Sequence, residues 1–159
     1  MVKKKGDIKI CICCSAGGHF SEILKATERI EYDKYYVTYR NSAIEEFSLS
    51  NKVYFVTHPR HCNFILRVSL FLKNCIESLF VLIREKPDLI ISTGADVAVA
   101  TCILGKLLGK KLIYVESGGY VTTKSLSGRL VYPFADLFIV QWKPALKNFP
   151  KAEYGGPLF

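Results

Sequence analysis

Short apolar runs alternate with amphipathic stretches along this chain, and most runs give way to a turn of glycine or small polar residues. Few folds accommodate that rhythm. Ile8 to Cys14 (IKICICC), Tyr35 to Tyr39, Val53 to Thr57, Asp88 to Ser92 (DLIIS), Lys111 to Val115 (KLIYV) and Leu137 to Val140 (LFIV) read as strands, and a last short one lies near Glu153 to Tyr154. Helices are expected from the turn after the first strand through about Ile30, near Ser42 to Leu49, and over Val97 to Leu108. Strands that are apolar throughout belong to a sheet covered on both faces, and strand–helix alternation makes that sheet parallel. The expectation is an α/β fold: one doubly wound domain over residues 1–159, with a mainly parallel sheet of about six to seven strands and a basic tail at 1–6. Ligands of such a sheet gather at the carboxyl ends of its strands.

A net charge of +8 needs a destination, and phosphate groups or an anionic membrane surface would supply one. Nucleic acid is set aside, because neither an RNP-like aromatic motif nor an Arg-rich run is present. Half of the residues are apolar, which excludes a disordered chain. The six cysteines mostly sit in or beside apolar runs, where a free thiol behaves as a small hydrophobe. Cys11 and Cys14 form C-x-x-C, and His58 and His61 form H-x-x-H. Structural zinc takes C-x-x-C from a turn rather than a strand, so core thiols are the better reading. Neither a metal nor a cofactor is expected, since no D-x-D pair occurs. Reduced thiols and the lack of a secretory signal at Lys3 to Lys5 suggest the cytoplasmic side.

Phe64 to Ile83 is very apolar, yet Arg67, Lys73 and Glu77 interrupt it, so it does not read as a membrane span. At about 100° per residue, Arg67, Lys73, Asn74, Glu77 and Ser78 share one side of a helix, together with Leu66, Leu70 and Val81. Phe64, Val68, Leu72, Cys75, Leu79 and Ile83 fill the other, which is the expected core face. The mixed face, with Leu66, Arg67, Leu70 and Lys73, is the candidate for contact with a membrane surface.

Four turns at strand ends hold residue types suited to chemistry. Ser15-Ala16-Gly17-Gly18-His19 offers glycines for close backbone approach and a helix N-terminus for an anion such as a diphosphate. It is not the dinucleotide fingerprint, because no third glycine follows in register. His19 beside it is a candidate general base or phosphate ligand, or a residue that merely packs at the helix start. Thr57-His58-Pro59-Arg60-His61 brings one permanent cation and two imidazoles, in what is by itself an ordinary basic loop. In Ser92-Thr93-Gly94-Ala95-Asp96, Asp96 caps the next helix by default, while Thr93 and Gly94 are placed to line a cleft. Val115-Glu116-Ser117-Gly118-Gly119 puts a carboxylate one step past a buried strand, where an active-site acid or base would stand. Trp142 is expected to pack.

Taken together the turns resemble a known family. Ser-x-Gly-Gly-His at 15–19 with Ser21-Glu22-Ile23-Leu24, Pro59-Arg60, Glu116-Ser117, Ser125-Leu126-Ser127-Gly128, Asp136 to Trp142 (DLFIVQW) and Glu153-Tyr154-x-Gly156 are similar, in the same order, to blocks of the asparagine-linked glycosylation fourteen family. Capsule and exopolysaccharide proteins of bacteria belong to it. The resemblance implies a Rossmann-like domain equivalent to the amino-terminal half of a GT-B transferase, similar to the bacterial lipid I N-acetylglucosaminyltransferase. It implies transfer of a sugar from a UDP-sugar, shared with a donor-binding partner subunit, to a lipid-pyrophosphate-linked acceptor at the cytoplasmic face of a membrane. Ser15, Gly17, Gly18, Arg60, Thr93, Gly94 and Ser117 would serve the acceptor and its pyrophosphate, with His19 or Glu116 as the base. This chain departs from many eukaryotic relatives at Tyr120 and near Cys62, where they carry arginines. The turn-rich end at Tyr154 to Phe159 falls where a one-chain enzyme would begin its linker, in keeping with a two-chain enzyme. Two other classes are open: a membrane adaptor that activates a partner without chemistry of its own, and a free-standing nucleotide-binding enzyme, which the missing fingerprint disfavours.

Overall fold

The computed structural model describes residues 8–59 and 63–159. Its strands are β1 (Lys9–Cys14), β2 (Asp33–Thr38), β3 (Val53–Phe55), β4 (Leu89–Gly94), β5 (Lys111–Val115), β6 (Leu137–Val140) and β7 (Glu153–Tyr154). They form one sheet in the order β3-β2-β1-β4-β5-β6-β7, and every neighbouring pair is parallel. The chain winds outward from β1 in one direction, then returns to lay β4 on β1's other side. The sheet therefore has its switch point between β1 and β4, where an open α/β sheet leaves a crevice.

Helices α1 (Gly18–Ala26) and α2 (Ser42–Ser48) cover one face, and α3 (Phe64–Glu85), α4 (Asp96–Leu107) and α5 (Leu126–Val131) cover the other. Alternation along β1 supplies both cores. Ile10, Ile12 and Cys14 pack with Ile23 and Tyr36 beneath α1, whereas Cys11 and Cys13 pack with Val81, Leu82, Val97 and Cys102 beneath α3 and α4. Cys11 and Cys14 thus point to opposite faces and cannot share a ligand. Burial pushes the Cys14 thiol up, away from the thiolate a metal needs. Helix α1 stops at Ala26, short of the expected Ile30, because the Thr27 hydroxyl turns back to donate to Ile23 O at 2.6 Å.

Helix α3 corrects the expected orientation. Its inward face is the polar one: Asn74 and Ser78 are fully buried, as are Val81, Leu82 and Glu85. Asn74 Nδ2 donates to Thr57 O at 2.7 Å and to Val97 O at 3.2 Å, and Thr101 Oγ1 donates to Ser78 Oγ at 3.0 Å. Thr57 gives its N–H and its hydroxyl to Glu77. These bonds satisfy main-chain groups at the strand and helix ends that would otherwise be buried without partners. They also end β3 at Phe55, two residues before the expected Thr57. The lower end of α3 is tied by Glu85, which accepts from Lys9 Nζ (3.2 Å), Lys52 Nζ (2.8 Å) and Tyr54 OH.

The supposed core face consequently points outward. Of its members Phe64 is 80% exposed, Leu72 58%, Ile83 56% and Val68 42%, while Cys75 and Leu79 are half-buried; Ile65, Ile76 and Phe80, which were not assigned to it, are exposed as well. Leu66, Arg67 and Lys73 are exposed as well, while Leu70 is half-buried. Among the described residues, no helix is long and apolar enough to cross a membrane.

Candidate functional site

The turn after β1 and the turn after β4 meet at the switch point. Gly17 sits at φ +86°, a conformation that favours glycine, and it aims the chain into α1. The side chain of no N-cap residue covers the start of α1, and both Gly17 and Gly18 are exposed with open space where a Cβ would stand. Such a terminus presents free N–H groups and the positive end of the helix dipole. Ser15 is buried, and its hydroxyl donates to Ala16 O at 3.3 Å.

His19, the first-turn residue of α1, is fixed by β4. Its Nδ1 lies 2.8 Å from Thr93 O, and Thr93 Oγ1 donates to His19 O at 2.8 Å. A carbonyl oxygen only accepts, so Nδ1 donates in this bond, and in the neutral form of the ring the lone pair is on Nε2. The side chain is 25% exposed, and it lines a groove that opens between α3, α4 and α5. An imidazole held in one tautomer with one open nitrogen can accept a proton from a hydroxyl brought against it.

Thr93 and Gly94 do not line the cleft, contrary to expectation. Both are buried, Thr93 behind His19 and Gly94 against β5, where a Cβ would collide with the Tyr114 hydroxyl. They serve the site by packing and by holding His19. Ala95, next in the chain, has φ +65° and ψ 168°, a region rarely open to a residue with a Cβ. Asp96 pairs with His58 Nε2 at 3.2 Å, and the His58 ring rests on Tyr39 with centroids 4.5 Å apart. Arg60 and His61 fall outside the described residues.

Glu116 is also more enclosed than a base at the end of a strand should be. It is 1% exposed, and Ser125 occupies both oxygens, N–H to Oε1 at 2.8 Å and Oγ to Oε2 at 3.0 Å. Burial pushes its carboxyl above the usual range, against the opposing pull of the Ser125 hydrogen bonds. Gly128 has no side chain because one would strike this carboxylate. Glu116 therefore braces the start of α5 and has no open face toward the cleft.

A second carboxylate, Glu22, carries more of the architecture. Its Oε1 accepts from Gly118 N at 2.8 Å, Ser117 Oγ at 3.2 Å and Gln141 Nε2 at 3.3 Å. Its Oε2 is buried without a donor among the described residues and lies 3.7 Å from His19 Nδ1. Gln141 also donates to Glu116 O at 3.1 Å, and Trp142 Nε1 donates to Gly118 O at 2.7 Å. Trp142 thus does more than pack. Helix α1, the 116–119 turn and the end of β6 are locked around one buried acid, and Ser117 is part of that lock. Its one signal in the sequence is spacing: Glu22 stands three residues after His19, about one helical turn further along.

Residues 10–158 match the family model described as "Oligosaccharide biosynthesis protein Alg14 like". The mouse protein named UDP-N-acetylglucosamine transferase subunit ALG14 is 29% identical over 184 residues, covering 98% of this chain and 85% of its own. The Candida albicans protein of the same name is 27% identical over 179 residues, covering 98% and 82%. Among solved structures, MurG of Acinetobacter baumannii superposes with a TM-score of 0.73 at 13% identity, over 92% of this chain and 44% of that one. The UDP-N-acetylglucosamine 2-epimerase of Rickettsia bellii gives 0.72 at 11%, over 95% and 45%. The chain spans less than half the length of these two structures, and the shared fold is that of an amino-terminal, Rossmann-like GT-B domain.

Proposed function

The chain belongs to the family of Alg14-like oligosaccharide biosynthesis proteins, and from that premise we propose that it is the acceptor-binding subunit of a two-chain, membrane-associated glycosyltransferase. The observation that carries this reading is the reciprocal clasp of His19 and Thr93, which engages Nδ1 and leaves Nε2 outside it, beside the open N-terminus of α1. In it, the exposed main chain at Gly17 and Gly18 receives the pyrophosphate of a lipid-linked saccharide, and Arg60, outside the described residues, is the cation the sequence offers for the same group. His19 Nε2 takes the proton of the attacking hydroxyl as that oxygen displaces UDP from the sugar, with inversion at the anomeric carbon. Glu116 and Glu22 position the turns around it.

One Rossmann-like domain walls a cleft on one side only. A donor sugar held there would react in an open, wet groove, where developing charge is poorly stabilised. The relatives named as transferase subunits support a partner that binds the UDP-sugar and closes the cleft. UDP-N-acetylglucosamine is the donor their names give, and it is the first to try.

The exposed apolar side of α3 is flanked by the exposed Arg67, Lys73, Arg84 and Lys86. Apolar side chains bordered by cations suit the headgroup region of an anionic bilayer, and this flank is where the subunit rests on the membrane. The face is thus the Phe64–Leu72–Ile83 side, with Leu66, Arg67 and Lys73 at its border.

The test is transfer of labelled sugar to a lipid-pyrophosphate-linked acceptor by the chain purified together with its partner. Activity of the pair, its absence from the chain alone, and its loss in His19→Ala are expected. An unimpaired His19→Ala complex would make the chain a scaffold, and robust transfer by the chain alone would refute the two-chain reading.

A further inference from the structure

Glu22 holds a buried carboxylate of which one oxygen is used and the other is not. Oε1 takes the hydrogen bonds of Gly118 N, Ser117 Oγ and Gln141 Nε2. Oε2 is shut off from solvent, has no hydrogen-bond donor among the described residues, and stands 3.7 Å from His19 Nδ1. A buried acceptor left without a donor lowers stability, and an ionised one lowers it more. The amide oxygen of a glutamine would satisfy the three donors on Oε1 equally well, so those bonds do not account for an acid at this position. What an acid adds is charge beside the His19 ring. We infer that Glu22 is a positioning residue for His19, whose carboxylate stabilises the imidazolium formed when that ring takes the acceptor's proton.

The inference rests on the functional reading above and deepens it. In that reaction the acceptor oxygen bonds to the anomeric carbon, the bond from that carbon to UDP breaks with its electron pair leaving on UDP, and the hydroxyl proton moves to Nε2. The ring then carries a full positive charge. Thr93 O, which accepts from Nδ1 at 2.8 Å, meets that charge only with a dipole. Glu22 Oε2 meets it with an anion, and the acid's side chain is 10% exposed, so water screens the attraction little. The ring is neutral before the transfer and charged after it, so the attraction grows along the reaction. Only an interaction stronger in the transition state than in the ground state speeds the step. Among the described residues, the other charged and titratable groups near the ring do not replace Glu22. Glu116 feels the His19 charge, but Ser125 occupies both of its oxygens. Across the groove Asp96 is paired with His58 at 3.2 Å. Arg67 in the same lining is a cation, and Tyr120 brings a hydroxyl.

The experiment uses the chain with its partner, a labelled UDP-sugar and a lipid-pyrophosphate-linked acceptor, and compares Glu22→Gln, His19→Ala and the double variant. Glu22→Gln should lower kcat roughly ten- to a hundredfold, with the acceptor KM and Tm near wild type. A carboxylate favours the protonated ring, so without it the ring gives up its proton at lower pH. The acid limb of kcat/KM should therefore move down by about one pH unit, and an NMR titration of the His19 ring in the assembled complex should move with it. With His19 already replaced by alanine, Glu22→Gln should change kcat less than about twofold, because the two residues act as one unit. Glu22→Asp, whose shorter acid stands farther from the ring, should give a smaller displacement in the same direction, which keeps the inference testable should the glutamine variant not fold. An acid limb and a ring titration at their wild-type positions in these variants would overturn the inference. So would an equal kcat loss from Glu22→Gln with and without His19, which would make Glu22 a brace for the turns and nothing more. If His19→Ala leaves transfer unimpaired while the ring titration still moves in Glu22→Gln, the functional reading fails and the charge pairing of Glu22 with His19 stands.

Discussion

His19 and Thr93 hold each other through two hydrogen bonds of 2.8 Å, ring Nδ1 to main-chain carbonyl and side-chain hydroxyl to main-chain carbonyl. The pair joins α1 to β4 across the switch point, and both bonds constrain the same residue. Thr93→Val keeps the shape and removes the hydroxyl bond. We expect a loss of about 1 kcal/mol in stability and roughly tenfold in kcat, with the acceptor KM little changed. His19→Ala should cost about 10²–10⁴-fold in kcat without unfolding the chain, as followed by steady-state kinetics and circular dichroism.

Gly17 and Gly18 should separate backbone strain from ligand approach. At φ +86°, Gly17→Ala is strained whatever the space around it and should destabilise by about 2 kcal/mol in urea titration. Gly18 has neither a positive φ nor a neighbour within 4 Å of its missing Cβ. Gly18→Ala should fold normally and yet raise the acceptor KM roughly tenfold, because the added methyl stands where the proposed pyrophosphate would come close.

Ala95→Gly should raise stability by about 1 kcal/mol, since Ala95 occupies φ +65° with a Cβ that glycine lacks. Thermal unfolding of wild type and variant checks this directly.

Acid stability should follow Glu85. Burial alone would raise its carboxyl, but hydrogen bonds from Lys52, Tyr54 and Lys9 prevail and lower it from 4.5 to about 2. A lowered folded-state value stabilises fully above the ordinary value and fades as pH falls from about 4.5 toward 2. Glu85→Gln should cost about 2 kcal/mol near neutrality and flatten the pH dependence in that window. Glu116 has the opposite sign: its raised value favours the folded state at low pH and loses that benefit as pH climbs through it.

The strands and the turns at their ends were legible because continuous apolar runs and small-residue turns are local signals. Ser15, Gly17, Gly18 and His19 come together as one turn for that reason. Helix α3 was misjudged for an equally physical reason. Apolar periodicity reports which side chains avoid water, but Asn74 and Glu77 are drawn inward by unpaired groups of Thr57 and Val97, and no window of sequence contains both partners. The joint role of Glu22 and Gln141 is hidden likewise: the two lie 119 residues apart, and their contact forms only when α1 and β6 adjoin.

A helix that turns its amides and carboxylates toward the body of the molecule leaves mostly apolar side chains, bordered by cations, to face outward. The protein is left with one flank that oil accepts better than water, and hence with a fixed attitude at any boundary between the two. Tumbling in free solution and settling at an interface become different states of the same rigid body.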